Sequence, residues 1–432
     1  MNRDWNKSRN SNRSWKRNRY WKRIGKELER EKNRTVTRTG EGKNWSWKRE
    51  QGAGNRKQET ENRKQKTGKD KSEQKGMEPL KIRRKLALDI VRRLQDEAVK
   101  EHQLRQLFWE CTLRCNIACR HCGSDCSVQS TVKDMPVEDF CKALDSVARE
   151  CDPHKVMINI TGGEPLVRRD LEACGRAIYD RGFPWGMVTN GLALTPERYA
   201  SLLASGLRSM TISLDGLGEV HDWMRGKPGV FKKASEAIKM VIDSGEIEFD
   251  VVTCVNKRSL PQLPALKEYL ISLGLKSWRL FTIFPVGRAA GDPELRLSGQ
   301  ELRSLMDFIR DTRKEGRIKA SFACEGFLGN YEGEVRDNFF MCEAGVTVGS
   351  VLADGSISAC PSIRADYAQG NIYEDDFMDV WNHRYQPFRD RSWMKKDECA
   401  DCRYWKYCRG NGMHLRDENG RLVQCLMRNM TE

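Results

Sequence analysis

No long apolar run occurs in this sequence of 432 residues. Nothing in it approaches the ~18–20 apolar residues that cross a bilayer. The basic N-terminus also lacks the apolar stretch a secretory signal needs. The first 76 residues contain neither cysteine nor histidine, and few aliphatic side chains. They hold 25 Lys/Arg against 10 Asp/Glu, a surplus equal to the whole formal charge of +15, so the rest of the chain is balanced. Such a segment cannot bury enough apolar surface to offset the entropy of ordering it. We read 1–76 as a disordered basic extension, or as sequence translated upstream of a true start at Met77. The rival reading has its basic side chains neutralising phosphates while Trp15, Trp21, Trp45 and Trp47 stack on bases. The composition favours the former, so nucleic acid is not an expected partner.

What the chain does have is cysteine, sixteen in all. Without a secretory signal, that number argues against a disulfide scaffold and for thiolate ligands in a reducing, cytoplasmic setting. Residues 77–104 read as a helical lead-in, with Leu80, Ile82, Leu86, Leu88, Ile90, Val91 and Leu94 at mixed helical spacing. From 105 to 315 strand-like and helix-like stretches alternate. The strands are Gln106–Cys111, Val156–Ile160, Gly186–Thr189, Ser209–Leu214, Phe249–Val255 and Arg279–Phe284. The helices are Val137–Arg149, Arg169–Arg181, Thr195–Leu203, Phe231–Ile242 and Leu263–Leu273. This order implies an α/β fold with a parallel sheet and right-handed crossovers. Six units are too few for a closed eight-fold barrel, so a partial (β/α)6 barrel of TIM type is expected.

In such folds active groups collect where the strands end at their carboxyl edge. The polar and glycine-rich strings here follow consecutive strands. Cys115-Asn-Ile-Ala-Cys119-Arg-His-Cys122 follows the first, and Thr161-Gly-Gly-Glu-Pro165 the second. Thr189-Asn-Gly191, Ser213-Leu-Asp-Gly216, Asn256 and Pro285-Val-Gly-Arg-Ala289 follow the next four. A cubane normally takes four thiolates. Three on one tight loop leave an iron without a protein ligand, free to bind a substrate or cofactor. Read without the other strings, CxxxCxxC also fits a zinc knuckle or three buried thiols.

Taken with that ordered placement, CxxxCxxC and Gly162-Gly163-Glu164-Pro165 resemble the radical S-adenosylmethionine (SAM) superfamily. The resemblance implies a partial barrel and a [4Fe–4S] cluster on Cys115, Cys119 and Cys122. It implies one-electron cleavage of SAM to a 5′-deoxyadenosyl radical that abstracts hydrogen from substrate. Gly162, Gly163 and Glu164 would then meet the SAM amino group. Ser213 and Asp215 would meet the ribose hydroxyls, and Val286 with Gly287 the adenine. Arg225 is a candidate clamp for the SAM carboxylate, a surface salt bridge being its competing role. No catalytic residue is nominated, and Cys111, Cys126, Cys141, Cys151, Cys174 and Cys254 receive no role.

Beyond residue 320 cysteines return at ligand-like spacing. Cys342 is followed after twelve residues by Gly355 and after four more by Cys360. Then come Cys399-Ala-Asp-Cys402, Cys408 and Cys425. This region, 320–432, resembles the SPASM extension of radical SAM peptide maturases, which holds auxiliary [4Fe–4S] clusters. By that resemblance Cys399, Cys402, Cys408 and Cys425 ligate one auxiliary cluster. Cys342 and Cys360 ligate the other, with Cys324 as the best available third ligand. The family pattern has a cysteine four residues after the one matched by Cys408, where this chain has Gly412. The first auxiliary cluster is thus one thiolate short: it has an open iron, borrows His414, or is absent. Zinc is the competing ligand, since CxxC pairs are standard zinc spacing.

The expected function is a cytoplasmic radical SAM/SPASM enzyme that modifies a peptide or protein. A reduced flavodoxin- or ferredoxin-type donor would serve it. A small lipoprotein precursor is a candidate substrate, because Thr161-Gly-Gly-Glu-Pro165 in context and the Cys408-Arg-Gly-Asn-Gly412 variant resemble lipoprotein-associated maturases. Within enzymes, the rivals are a sulfatase maturase or a radical enzyme for a small molecule such as a tetrapyrrole side chain. Sulfatase maturases carry an Asp base directly after the cysteine matched by Cys360. Pro361 stands here and cannot take a proton, which disfavours that rival, and nothing in the sequence brings the nearby Asp366 to the site. The rival of another class is a non-catalytic iron–sulfur or zinc scaffold.

Overall fold

The computed structural model describes residues 78–431. The basic extension and Met77 lie outside the described residues. The chain divides into two compact units at Gln95/Asp96. The described part of the first is the opening of helix α1 (Ile82–Glu101), where Leu88, Ile90 and Val91 are buried and Ile82 and Leu86 are exposed.

The second unit is built on one ten-stranded sheet. Its strands in chain order are β1 (Gln106–Glu110), β2 (Met157–Thr161), β3 (Trp185–Thr189), β4 (Leu207–Ser213), β5 (Glu248–Cys254), β6 (Ser277–Phe281), β7 (Lys319–Phe322), β8 (Val348–Val351), β9 (Ser356–Ser358) and β10 (Gly370–Asn371). Their spatial order is β10-β9-β8-β1-β2-β3-β4-β5-β6-β7. Every pairing from β8 across to β7 is parallel. The hairpin-like β8–β9–β10 edge is antiparallel. The partial α/β barrel therefore has its six motif-bearing strands in sequential order, with β7 added beside β6 and β8 beside β1. Both additions are four residues long, too short for alternation to mark them in the sequence.

The crossover helices are α2 (Val137–Glu150), α3 (Leu171–Asp180), α4 (Pro196–Ala204), α6 (Val230–Ser244), α7 (Leu263–Ser272) and α8 (Gly299–Glu315), with the short α5 (Glu219–Arg225) preceding α6 in the β4–β5 connection. Helix α2 buries Val137, Phe140, Cys141, Ala143, Leu144 and Val147, a stripe at i, i+3, i+4, i+7 spacing. Trp109 of β1 is fully buried and stacks on Phe140, with centroids 4.5 Å apart. Its indole Nε1 donates to Met135 Sδ at 3.3 Å. On β6, Trp278 meets Phe308 of α8 edge-on. Helix α8 starts on a capping box: Ser298 Oγ accepts from Glu301 N, and Glu301 Oε2 accepts from Ser298 N.

The C-terminal segment is packed into this unit as well as paired with its sheet. Asp376 caps α9 (Phe377–His383) through Met378 N and Asp379 N. The same carboxylate accepts from Ser146 Oγ of α2 at 2.6 Å. Among the described residues no helix is long and apolar enough to cross a membrane.

Truncating Trp109 empties the contact between β1 and α2. Trp109→Ala is expected to cost ~3–5 kcal/mol, read as a lower midpoint in guanidinium unfolding of the anaerobic protein.

Candidate functional site

The run from Thr112 to Ser127 leaves β1 without regular structure, and its backbone is satisfied by its neighbours. Cys115 N donates to Ser127 O at 2.9 Å. Thr112 O accepts from Gly163 N at 2.7 Å, and Arg114 O from Glu164 N at 2.9 Å. The glycines make this approach possible. A Cβ on Gly162 would lie 2.1 Å from Thr112 O, and one on Gly163 2.2 Å from Arg114 O. Gly162 also has φ +135°, which L side chains rarely adopt. Asp134 accepts from Thr112 Oγ1 at 2.6 Å and pairs with Arg114.

Cys115 and Cys119 are buried and Cys122 is half-buried. They share an apolar pocket with Leu113, Ile117, Leu192 and Val230. Burial, together with Cys119 and Cys122 beside it, pushes the Cys115 thiol up to about 11. Cys126 joins the same group, and its N–H donates to Cys122 Sγ at 3.4 Å. The Cys126 thiol points at Ser124 O (3.9 Å), and its side-chain contact with Cys122 lowers the pKa of Cys122 and raises that of Cys126.

Two further segments hold the loop from its other side. Arg120 N donates to Met224 O of α5 at 2.9 Å, and a Cβ on Gly226 would sit 2.4 Å from Ala118 O. Arg225, almost fully buried, points Nη1 at Cys119 Sγ (3.6 Å). Its Nε lies 2.7 Å from Asp215 Oδ2, off the hydrogen-bond direction. Arg225 is thus in a buried ion pair rather than a surface one. Burial disfavours the Asp215 carboxylate, but Arg225, His121 and His221 outweigh it and hold the group below the usual range. Asp215 Oδ1 accepts from Cys254 N, and His221 Nδ1 accepts from Asp215 N, both at 2.9 Å. After β6, Arg288 donates to Cys119 O at 2.8 Å and Cys126 O at 3.1 Å, while Arg288 N donates to Cys122 O. Val286 faces Gly123, whose Cβ would meet Val286 Cγ2 at 3.4 Å. Ser213 ends β4, buried.

Glu164 is 1 % exposed and already engaged. It accepts from Thr189 Oγ1 at 2.6 Å, Asn190 N at 2.7 Å and Leu166 N at 3.1 Å. Burial raises its pKa against those three donors.

The C-terminal cysteines fall into two groups. Cys324 is exposed, yet the surrounding protein atoms still desolvate its thiol. Burial, with Cys360 and Cys342 nearby, pushes its thiol up to about 12. Burial opposes ionisation of Cys342 too, but Arg391 and nearby amides outweigh it and lower the thiol. Cys408 feels Cys425, Cys399 and Cys402, so those four form the second group. Arg416 Nη2 lies 3.2 Å from Cys399 Sγ, and Cys408 Sγ donates to Asn411 Oδ1 at 3.3 Å. All sixteen cysteines are free. A tetrahedral ion with ~2.3 Å bonds to sulfur holds its ligand atoms about 3.8 Å apart. Among the described residues the one set of three potential donors within 4.8 Å is His121, Asp215 and Cys254. Each thiol group is therefore spaced more widely than a single ion requires, which suits a multi-iron cluster.

Sequence reasoning passed over several residues that build this edge. Glu110, buried at the end of β1, accepts from both terminal nitrogens of Arg364 at 3.1 Å and from Ala353 N at 3.3 Å. Glu325, next to Cys324, accepts from the backbone and hydroxyl of Thr282 at the end of β6, and burial pushes it up to about 8. Neither pairing leaves a sequence signal, because the partners are far apart in the chain.

Family models match this chain over two regions: the radical SAM superfamily over 109–257 and the SPASM iron–sulfur cluster-binding domain over 342–403. Mycofactocin maturase MftC of Mycolicibacterium smegmatis is 30% identical over 313 residues, covering 71% of this chain and 77% of the relative. AdoMet-dependent heme synthase of Nitratidesulfovibrio vulgaris is 27% identical over 336 residues, covering 72% and 90%. Streptococcus suis SuiB bound to S-adenosylmethionine shares the fold, with a TM-score of 0.60 at 18% identity over 86% of this chain and 88% of that one. The chain belongs to the radical SAM superfamily and carries a SPASM domain. It is accordingly an enzyme that uses SAM and a [4Fe–4S] cluster, with auxiliary iron–sulfur clusters in its C-terminal region.

Gly162→Ala forces its Cβ into Thr112 O and displaces the cysteine loop. After anaerobic reconstitution the variant should hold on the order of four irons per chain fewer than the parent, one cubane's worth, measured by iron and sulfide analysis.

Proposed function

We propose that the chain is a maturase that modifies a peptide or protein through radical SAM chemistry in the cytoplasm. The observation that carries this reading is the 30% identity to mycofactocin maturase across 71% of the chain. The domain division 105–315 and 320–432 goes with it. Cys115, Cys119 and Cys122 hold the first cluster, with Cys324, Cys342, Cys360 and Cys399, Cys402, Cys408, Cys425 holding the auxiliary ones. When bound, cluster and SAM supply a 5′-deoxyadenosyl radical by one-electron cleavage of the sulfonium.

The remaining roles belong to side chains. Glu164, with Gly162 and Gly163, receives the ammonium of SAM; its Oε2 accepts only from Asn190 N, which leaves room for another donor. Arg225 takes the carboxylate while Asp215 keeps its charge balanced. Ser213 and Asp215 take the ribose, and Val286 packs on the adenine. A reduced flavodoxin- or ferredoxin-type protein delivers the electron. Among peptides, a small lipoprotein precursor is the candidate that the Cys408–Gly412 variant nominates.

A second reading has support of its own. AdoMet-dependent heme synthases of two further organisms match at 26–27% identity, and an Fe-coproporphyrin III synthase at 26%. A tetrapyrrole-modifying enzyme is therefore the alternative. Reconstituted protein with SAM and reductant separates the two. A candidate precursor peptide that gains a new mass and stimulates 5′-deoxyadenosine release supports the maturase. Conversion of an iron coproporphyrin, with peptides unchanged, overturns it in favour of the alternative.

The SAM assignment has its own check. Arg225→Ala removes a charge-assisted contact of ~1.5–3 kcal/mol, so the KM for SAM should rise about tenfold or more. The substitution also leaves Asp215 as an unpaired buried charge, which destabilises the fold by ~3–5 kcal/mol. Asp215→Asn/Arg225→Ala removes that charge, and should keep the raised KM while recovering thermal stability.

A further inference from the structure

We propose that His414 is the fourth protein ligand of the cluster held by Cys324, Cys342 and Cys360, binding through Nε2. The inference goes beyond the choice between peptide and tetrapyrrole and does not depend on it.

Three observations carry it. First, His414 is only 8% exposed, and its Nε2 has no hydrogen-bond partner. A buried polar atom left in that state costs ~1–3 kcal/mol, a cost that an iron bound at Nε2 would remove. Second, the backbone next to His414 is tied to the Cys342 segment. Met413 N donates to Cys342 Sγ at 3.5 Å, one residue from His414. Arg391 bridges the same two segments, donating to Asn411 O at 3.1 Å and Cys342 O at 3.3 Å. Third, the ring takes the space a side chain at position 412 would need. A Cβ on Gly412 would lie 2.5 Å from His414 Cε1, 2.9 Å from its Nδ1 and 2.9 Å from Glu325 O, the carbonyl of the residue after Cys324. Glycine at 412 leaves the imidazole its place and lets the 411–413 turn approach the Glu325 carbonyl. Phe284, with its centroid 4.5 Å from the His414 ring, fixes the orientation from the other side.

The donor set is then three thiolates and one imidazole. That set also serves zinc, but no three of these four donors lie within 4.8 Å of one another among the described residues, as one ion would need. A cubane, in which each donor binds a different iron, accommodates the wider spacing. An imidazole in place of a thiolate removes one negative charge from the cluster and raises its reduction potential, as histidine ligation does in other iron–sulfur centres.

The test uses the full-length holoenzyme, reconstituted anaerobically and reduced. Pulsed electron paramagnetic resonance of the parent should show strong nitrogen coupling to an auxiliary cluster, and the coupling should change isotope when the protein is grown with ¹⁵N-histidine. His414→Cys should abolish that coupling, retain the iron and shift the potential of one auxiliary cluster downward. The inference is overturned if the labelled parent shows no histidine coupling, if the coupling persists in His414→Cys, or if metal analysis finds zinc in place of that cluster's iron. Should His414→Cys fail to take up iron, the labelled parent decides the matter alone.

Discussion

A loop that presents three thiols to one cluster has no hydrogen-bonding ladder of its own, yet its peptide groups are buried and must be satisfied. The neighbouring strand edge meets that requirement. Gly163 N and Glu164 N serve Thr112 O and Arg114 O, and the absence of Cβ atoms at 162 and 163 sets how close the two segments come. The resemblance assigns these glycines to an approach by ligand. Their tightest contacts in the structure are to the cysteine loop itself. The same residues thus fix the floor of the site before any cofactor arrives, and Glu164 is oriented by the backbone it helps to hold.

Charge is handled with similar economy. Arg225 and Asp215 are both buried, which would be costly for either alone. Around them lie His121 and His221, each lowered to about 4, chiefly by burial, and so neutral at physiological pH. One net-neutral ion pair therefore sits in a shell of uncharged imidazoles, with Arg225 also facing Cys119 Sγ. Arg288 contributes a second cation to the loop from β6, aimed at carbonyl oxygens instead of sulfur. Thiolates gathered on a short loop repel one another, and Arg225 beside Cys119 Sγ offsets that repulsion, while Arg288 holds the loop carbonyls in place.

The parts of this arrangement that could be read from the sequence are those written in adjacent residues. β1 to β6 announce themselves by β-branched or aromatic runs, and the motif strings follow their ends in order. Helix α8 had a readable signal too, Ser298 followed three residues later by Glu301, which the structure shows as a complete capping box. β7 and β8, spelled Lys-Ala-Ser-Phe and Val-Gly-Ser-Val, carry no pattern long enough to stand out. They become strands because β6 and β1 offer free edges. At the site, cysteine spacing reveals which thiols belong together. It does not reveal the Cys126 N–H aimed at Cys122 Sγ, the grip of Arg288 on three loop peptides, or Glu110 bound to Arg364. Those are contacts between residues that only the fold brings near.

The Glu110–Arg364 pair has a consequence for how the two halves work together. Glu110 lies five residues before Cys115, and Arg364 four residues after Cys360. β8, between Cys342 and Cys360, runs parallel beside β1. The segment carrying the auxiliary thiols therefore shares both a strand ladder and a buried ion pair with the strand that feeds the first cluster loop. On the opposite edge, Glu325 ties the Cys324 end of β7 to Thr282 of β6, just ahead of the Val286–Arg288 segment that grips the same loop. Each edge of the open barrel is thus fastened by a buried glutamate to a segment that carries a C-terminal cysteine. A shift of that region large enough to move Cys324, Cys342 or Cys360 would have to break one of these glutamate contacts or slide a parallel pair, both of which resist it. The separation between the first thiol group and the nearer auxiliary group is consequently set by the barrel itself, and not by a flexible tether between domains.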